Sequence, residues 1–305
     1  MIVNDVQPTV YYTAACGWDM TESAPADRDV SPEEAFALLG DETRITTIRV
    51  LGDAGGGPLT FSELRERVGV SDSGRFNYHL GKLVGTFLKR TDEGYELTYA
   101  GHRIVGAILS GEYTRHASGE TFAIDSECYR CRDLLSATYE NEHVTIRCET
   151  CDDQRASFGF PPGGFEGRSI EELTRAFDDW VMGVLRMICA GICFNCAGKM
   201  TGTLTDDSPY LDEDEAVGVE FTCDRCGDNA TLSVNSFLLF EPAVVAFHYD
   251  HGVDIDDIDT WNVSFTEEGC EIISEVPWRV RSVLTLDGDS LSLVVSEELS
   301  VTVEN

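Results

Sequence analysis

Four Cys-x-x-Cys pairs constrain this chain more than any other feature of its sequence. They are Cys128/Cys131, Cys148/Cys151, Cys193/Cys196 and Cys223/Cys226, and they take eight of the eleven cysteines. In a small secreted domain such a count would describe a disulfide framework. The N-terminus here carries no basic-then-apolar export segment, so thiolate metal sites are the better reading. A tetrahedral ion needs two pairs brought face to face, which requires the chain between them to double back.

The first interval is built for that. Cys131 and Cys148 enclose sixteen residues in which Ala137-Thr138-Tyr139 and His143-Val144-Thr145-Ile146-Arg147 read as the strands of a hairpin. Two knuckles on a hairpin describe a zinc ribbon. The second set, Cys193 to Cys226, has a longer interval with an acidic looped insert, Asp206 to Glu215. Two structural Zn(II) ions are therefore expected, one on Cys128, Cys131, Cys148 and Cys151 and one on Cys193, Cys196, Cys223 and Cys226. Closed four-thiolate sites leave no position for substrate; a redox or zinc-release switch is the sharper alternative, because thiolates oxidise. Cys189 and Cys270 stand in apolar contexts and read as buried fillers, and Cys16 as a bystander thiol.

The two ribbons look like an internal repeat. After Cys151 come a strand (Ala156–Phe160), Pro161 and an acidic helix ending at Trp180; after Cys226 come Leu232-Ser233-Val234, Phe237 to Phe240, Pro242 and an acidic segment ending at Trp261. Ser169 and Glu172 form a capping box for the helix, whose stripe is Leu173, Ala176, Phe177, Trp180, Val181, Val184 and Leu185. His248 and His251 read as polar turn residues rather than a metal pair. Beyond Trp261 the pattern alternates around Asp287-Gly288, which predicts an antiparallel sheet of undetermined role.

Charge separates the N-terminal region from the rest. The chain has 55 acidic and 22 basic residues, a net charge of −33, and its only lysines are Lys82, Lys89 and Lys199. Residues 31–115 hold 10 basic and 12 acidic side chains, leaving 12 and 43 elsewhere. The acidity and lysine depletion resemble proteins of haloarchaea, in which carboxylates hold water where screening lengths shrink to about 3 Å. A region spared that acidity suits a phosphate-facing surface.

That region reads as helices and a hairpin. Ser31-Pro32-Glu33-Glu34 starts a helix with an apolar face of Ala35, Phe36, Leu38 and Leu39. Asp41 opens a second, with Ile45, Ile48, Val50 and Leu51 inward and Arg44 and Arg49 outward. Phe61 to Val68 is a third, and Gly69 turns into a fourth capped by Ser71 or Asp72. Phe76, Leu80 and Leu83 face the core from this fourth helix, while Ser73, Arg75, Asn77, His79 and Lys82 are expected on its outer face. Arg and Asn there could bond base edges, and Ser and Lys reach phosphates. Phe87 to Arg90 and Tyr95 to Thr98 read as a wing around Gly94, placing Lys89 and Arg90 near the DNA backbone, and Ala100 to Leu109 as a closing helix.

Leu39-Gly40-Asp41-Glu42-Thr43-Arg44, Tyr78-His79-Leu80-Gly81-Lys82-Leu83 and Leu97-Thr98-Tyr99-Ala100-Gly101 together resemble archaeal ArsR-like winged helix-turn-helix transcriptional regulators. The resemblance covers about 80 residues and implies sequence-specific binding of double-stranded DNA by a homodimer, contacted by the closing helix. Metal-sensing ArsR repressors carry paired cysteines in the third helix, whereas this chain has Glu63-Leu64-Arg65-Glu66-Arg67, so arsenic-type sensing there is not expected.

The expected class is α+β, with a mobile tail (1–30), a winged helix (31–113), a first ribbon with its helix (114–192), and a second ribbon with a β-rich region (193–305). The expected function is a cytoplasmic, membrane-free, non-enzymatic transcriptional regulator. The alternative is a basal transcription factor of the TFE type, docking on the transcription machinery through its ribbons, although that type carries one ribbon. A metalloenzyme would need an open metal position beside a base, and no such motif is visible.

Overall fold

The computed structural model describes residues 30–55, 57–115, 119–208, 217–262 and 270–304. The expected tail with Cys16, and residues 209–215 of the acidic insert, lie outside them. Among the described residues the chain is α+β, with eight α-helices and four antiparallel sheets. It divides into two compact units, Met1–Tyr113 and Thr114–Asn305. No helix among the described residues is long and apolar enough to cross a membrane.

The first unit begins with α1 (Pro32–Leu39), started by the expected capping box of Ser31 and Glu34. It buries no residue completely, and Phe36, expected inward, is 68% exposed. Eight residues offer too narrow a stripe, and Leu38 and Leu39 alone reach the core. Helix α2 (Glu42–Asp53) is capped by Asp41 and buries Thr47, Ile48 and Leu51. Arg44, expected outward, folds back to donate to the carbonyls of Ala37 and Leu38, closing the end of α1.

Helix α3 (Phe61–Val68) has its own capping box, Thr60 with Glu63, and ends on Gly69 at φ 79°, the left-handed conformation that glycine adopts without strain. Helix α4 (Ser73–Leu83) comes next, capped by Asp72. Phe76, Leu80 and Leu83 on α4 meet Ile48, Leu51 and Leu64 in one core. Strands β1 (Leu88–Arg90) and β2 (Tyr95–Leu97) pair antiparallel, and α5 (Tyr99–Ser110) completes the unit. Leu59 adds a third, single-residue bridge: its N–H and C=O both bond Tyr95, at 3.1 and 2.9 Å. Here Gly94, at φ 149°, is required sterically, because a Cβ would sit 2.3 Å from the Leu59 oxygen.

The second unit contains three sheets. The first is a meander of β3 (Glu120–Glu127), β4 (Leu134–Glu140), β5 (His143–Cys148) and β6 (Asp153–Gly159). The second is β7 (Met200–Thr205), β8 (Gly218–Cys223) and β9 (Asn229–Ser233), and the third is β10 (Glu271–Glu275), β11 (Trp278–Leu286), β12 (Asp289–Ser296) and β13 (Val301–Glu304). The turn between β11 and β12 uses Asp287 and Gly288, both at positive φ (51° and 92°), as the Asp-Gly pair implied.

Helix α6 (Ile170–Cys189) runs between the first two sheets, started by the Ser169/Glu172 capping box. It does not end at Trp180 but continues nine residues, because the apolar stripe persists through Leu185 and Ile188. Its first half buries Leu173 and Phe177 against the first sheet; its second half buries Leu185 and Ile188 in the core of the second and third sheets.

The repeat holds for the cysteine-bearing hairpins and breaks down in the segments after them. Beyond β9 come two short helices, α7 (Val234–Leu238) and α8 (Pro242–Asp250), in place of one long one. Trp180 is 43% exposed and donates to the Gly159 carbonyl at 2.9 Å. Trp261 is instead 4% exposed, in the core of the first sheet, and donates to Ser126 Oγ at 3.0 Å. His248, expected in a turn, is a buried residue of α8, and its ring hydrogen-bonds the Val244 carbonyl at 2.8 Å.

Candidate metal centres and nucleic-acid interface

The four knuckles share one local geometry. In three of them the first cysteine's N–H donates to the carbonyl five residues on: Cys128 to Asp133 (2.8 Å), Cys193 to Gly198 (2.9 Å) and Cys223 to Asp228 (2.8 Å). In all four the residue after the second cysteine has positive φ: Arg132 (66°), Asp152 (53°), Ala197 (55°) and Gly227 (76°). This tight turn aims both sulfurs and the intervening N–H groups to one side. Only Gly227 advertises the turn in the sequence.

Strand pairing then brings the knuckles together in pairs. Cys128, Cys131, Cys148 and Cys151 form one cluster and Cys193, Cys196, Cys223 and Cys226 the other, with all four sulfurs of each within 4.8 Å of one another. The nearest contacts are 3.9 Å (Cys128–Cys151), 3.5 Å (Cys131–Cys148), 3.7 Å (Cys193–Cys226) and 3.5 Å (Cys196–Cys223). A disulfide would need about 2.05 Å. A tetrahedron of sulfurs about 2.3 Å from a zinc ion has edges of about 3.8 Å, so the donor sets fit a closed tetrahedral thiolate site. Gly198 belongs to this geometry, because a Cβ there would lie 3.0 Å from Cys223 Sγ and 3.1 Å from Cys196 Sγ.

The thiols within each cluster are unequal. Burial pushes the Cys128 thiol up, but N–H groups of Cys131 and Arg130 stabilise its thiolate and hold it at about 6. The N–H of Cys226, with that of Arg225, holds Cys223 at about 6 despite burial. Cys151 is pushed up to about 12, chiefly by its contacts with Cys131 and Cys148. Cys226 also rises to about 12: the Asp228 N–H works against this, and the neighbouring Cys196 thiol with burial outweighs it. Each cluster thus has one thiol that ionises readily and one that holds its proton, so an ion bound there would have to displace a proton and its binding would depend on pH.

Arg155, which the sequence does not single out, borders the first cluster. Its guanidinium lies 3.7 Å from Cys128 Sγ, pairs with Asp153 at 2.6 Å and stacks over the Tyr129 ring at 4.4 Å, with its side chain 7% exposed. The second cluster has no equivalent among the described residues. Arg225 gives Cys223 Sγ only its backbone N–H (3.4 Å), and Cys226 is exposed.

In the first unit, Ser73, Arg75, Asn77 and Lys82 all lie on the exposed face of α4. His79 does not. It is 8% exposed, with Nδ1 3.3 Å from an Asp41 carboxylate oxygen, a close contact without hydrogen-bond alignment. Three residues after Phe76 and one before Leu80, it falls on the edge of the inward arc rather than outside it. Tyr78 takes the outer place: 60% exposed, its ring lies 5.7 Å from Lys82 Nζ. Sequence reading assigned it to neither face, although its offset of two residues from both Phe76 and Leu80 is the signal that places it away from the core. On the hairpin, Arg90 is exposed 5.9 Å from the Tyr95 ring centroid, and Lys89 shares its charge with Glu96 at 2.9 Å.

The remaining candidates fall elsewhere. His251 ends α8, hydrogen-bonding the Phe247 carbonyl (2.7 Å) and Asp289 (3.3 Å), which raise its pKa against the effect of burial. Neither histidine joins a metal-binding group among the described residues. Cys270 lies 3.6 Å from Asn235 Oδ1, and both it and Cys189 are half-buried at the second core.

Two family models match the sequence. One, described as a domain of unknown function (DUF7351), covers residues 125–301. The other, also described as a domain of unknown function (DUF7347), covers residues 32–108. No curated protein matches the chain.

Proposed function

The chain belongs to the family described as domain of unknown function DUF7351, and we propose that it is a DNA-binding transcriptional regulator. Its first unit is read as a winged helix-turn-helix of the ArsR-like kind, and each four-cysteine cluster as a zinc ribbon holding one structural zinc ion. The observation that carries the reading is the outer face of α4. Ser73, Arg75, Asn77, Tyr78 and Lys82 stand exposed there, in a region holding 10 basic and 12 acidic residues while the rest of the chain holds 12 and 43.

Arg75 and Asn77 are the base-reading candidates, since bidentate contacts to guanine and adenine discriminate by about 1–3 kcal/mol each. Lys82 and Arg90 contact phosphates, and Lys89 does so at the cost of its pairing with Glu96. A homodimer is supported by α5, where Tyr99, His102, Gly106 and Leu109 form an exposed stripe at spacings of three, four and three. Such a seam suits a second copy of the same helix, and Gly106 lets the backbones approach. The zinc sites are supported by sulfur spacings near the tetrahedral edge.

Chromatin immunoprecipitation of the tagged chain, beside an Arg75→Ala/Asn77→Ala double variant, tests the proposal. A small set of sharp peaks that vanish in the variant is the expected result. Occupancy of most promoters, insensitive to the substitutions, overturns it in favour of a basal factor docked on the transcription machinery.

A further inference from the structure

The two cysteine hairpins share a backbone bridge beside their first knuckle and dress it differently. In the first hairpin Glu127 pairs with Leu134; in the second, Ile192 pairs with Lys199. The residue after the first cysteine is aromatic in both, Tyr129 and Phe194. The Tyr129 ring is covered from within the chain, by the guanidinium of Arg155 at 4.4 Å and that of Arg130 at 5.5 Å. Those two cations are paired with Asp153, and the neighbouring Arg132 with Glu127. The first knuckle face therefore satisfies its own ring and charges.

The second does not. Helix α6 ends in a Schellman turn, with Gly191 at φ 73° and the Ile192 N–H bonded to the Met187 carbonyl at 2.9 Å, an arrangement that sets those two apolar side chains together. Cys193 then points inward between Ile192 and Phe194, which leaves both outside. Met187, Ile192 and Phe194 are 37%, 43% and 40% exposed, and no described residue stacks on the Phe194 ring. Lys199 stands opposite Ile192, and Arg225 reaches across the knuckle to the Cys196 carbonyl at 3.4 Å. Neither cation has a carboxylate partner among the described residues, and the neighbouring Asp224 is turned to Thr201 at 3.1 Å. Outside residues 31–115 the chain holds 43 acidic residues against 12 basic ones, so two unpaired cations beside three exposed apolar side chains set this face apart from the surface around it.

We propose that this knuckle face docks an acidic segment of a partner protein, with large apolar side chains of that segment on Met187, Ile192 and Phe194 and its carboxylates on Lys199 and Arg225. Exposed apolar groups rimmed by charge mark such sites, and aromatic, Met and Arg side chains are those that interfaces concentrate. The unpaired cations select the sign of the partner. A second copy meeting this face with its own would set Lys199 and Arg225 against themselves. A nucleic acid would use the same cations, but only one ring is available for stacking, and Met187 and Ile192 offer bases no such face. The inference goes beyond the DNA-binding reading and does not depend on it.

The test is fluorescence anisotropy on the full-length, zinc-replete chain with labelled peptides of equal length: one of glutamate, leucine and phenylalanine, one of glutamate and serine, and one of arginine, leucine and phenylalanine. Labelled oligothymidylate is titrated beside them. Saturable binding of the first peptide alone is expected. Phe194→Ser and the Lys199→Gln/Arg225→Gln double variant should each weaken it on the order of tenfold with zinc content unchanged. Leu134→Ser, which removes an exposed apolar side chain from the first hairpin, should leave it unchanged. No saturable binding of the first peptide, equal binding of either other peptide, or an equal loss in Leu134→Ser would overturn the proposal. Oligothymidylate binding that is lost in Phe194→Ser would overturn it in favour of a nucleic acid, and a lower sedimentation coefficient for Phe194→Ser in favour of a second copy.

Discussion

If both four-cysteine clusters hold zinc, the second should release it first, and Arg155 should account for much of the gap. In the first cluster the guanidinium, nearly buried, lies 3.7 Å from Cys128 Sγ; in the second, no side-chain N–H donor to a sulfur is found among the described residues, and Cys226 is exposed. A hydrogen bond to a charged group contributes about 1.5–3 kcal/mol. The long donor–sulfur distance argues for the lower end, which corresponds to about a tenfold difference in affinity. The perturbation is Arg155→Met, which keeps an unbranched side chain over Tyr129 and removes the charge and the N–H groups. In an equilibrium competition between the zinc-loaded chain and a chromophoric chelator, the wild-type protein should give up one equivalent at low chelator and one at about tenfold higher. Arg155→Met should draw the second step toward the first. Arg225→Met is the control: its guanidinium reaches the Cys196 carbonyl (3.4 Å) rather than a sulfur, so it should move the first step less. Release of both equivalents in one step by the wild-type chain, or two unmoved steps in Arg155→Met, would refute the assignment.

The packing sets three further outcomes. Phe177 is fully buried with ring centroids of Phe158, Phe160 and Phe165 at 6.0, 4.9 and 5.7 Å, so Phe177→Ala should cost about 3–5 kcal/mol in denaturant unfolding tracked by tryptophan fluorescence, and a loss under about 1 kcal/mol would contradict the core assignment. Gly94→Ala should destabilise the first unit by about 1–3 kcal/mol, since its φ and the Leu59 carbonyl both exclude a Cβ; an unchanged melting temperature would show that the hairpin is not tied to Leu59. Asp178 titrates above the ordinary carboxylate range because burial outweighs its hydrogen bonds from Thr260 and because Asp259 and Asp179 lie nearby. A raised folded-state pKa gives stability that is complete below the unfolded value, about 3.9, and is lost as pH rises through the folded value. Asp178→Asn keeps an oxygen for the Thr260 N–H, so it should raise the melting temperature at pH 7 and lose that advantage near pH 4; the opposite trend in a pH series of melting curves would reject this.

What the sequence disclosed depended on whether the signal was local. Cysteine spacing, capping boxes at Ser31 and Ser169 and the Asp-Gly turn at Asp287 each act over a few residues, and the structure carries all of them. The grouping of the cysteines into two sets of four was legible because two hairpins leave little choice of partner. Most of what failed was tertiary. Arg44 turns inward to serve carbonyls that exist only once α1 has ended, whereas His79 departs from expectation for a local reason, its position on the edge of the inward arc of α4. The Leu59 bridge pairs residues 36 positions apart with no periodicity to announce it. Arg155 likewise reaches Cys128 only after β5 and β6 have paired.

The same distinction explains why the apparent duplication stops where it does. A ribbon hairpin cannot bury its apolar face alone, so each copy must be covered by something outside itself. One helix meets both needs: α6 spans about 30 Å at 1.5 Å per residue, with Phe177 in the first core and Ile188 in the second. Once α6 covers both hairpins, a second long helix after β9 has no face left to cover. The chain there is free to form α7 and α8 and return Trp261 to the first core. Both cores therefore share a rigid helix and a return segment, so loss of either metal should loosen packing around the other. That is reason to expect the second unit to unfold as one cooperative body, and it accords with a single family model covering both clusters and most of the third sheet.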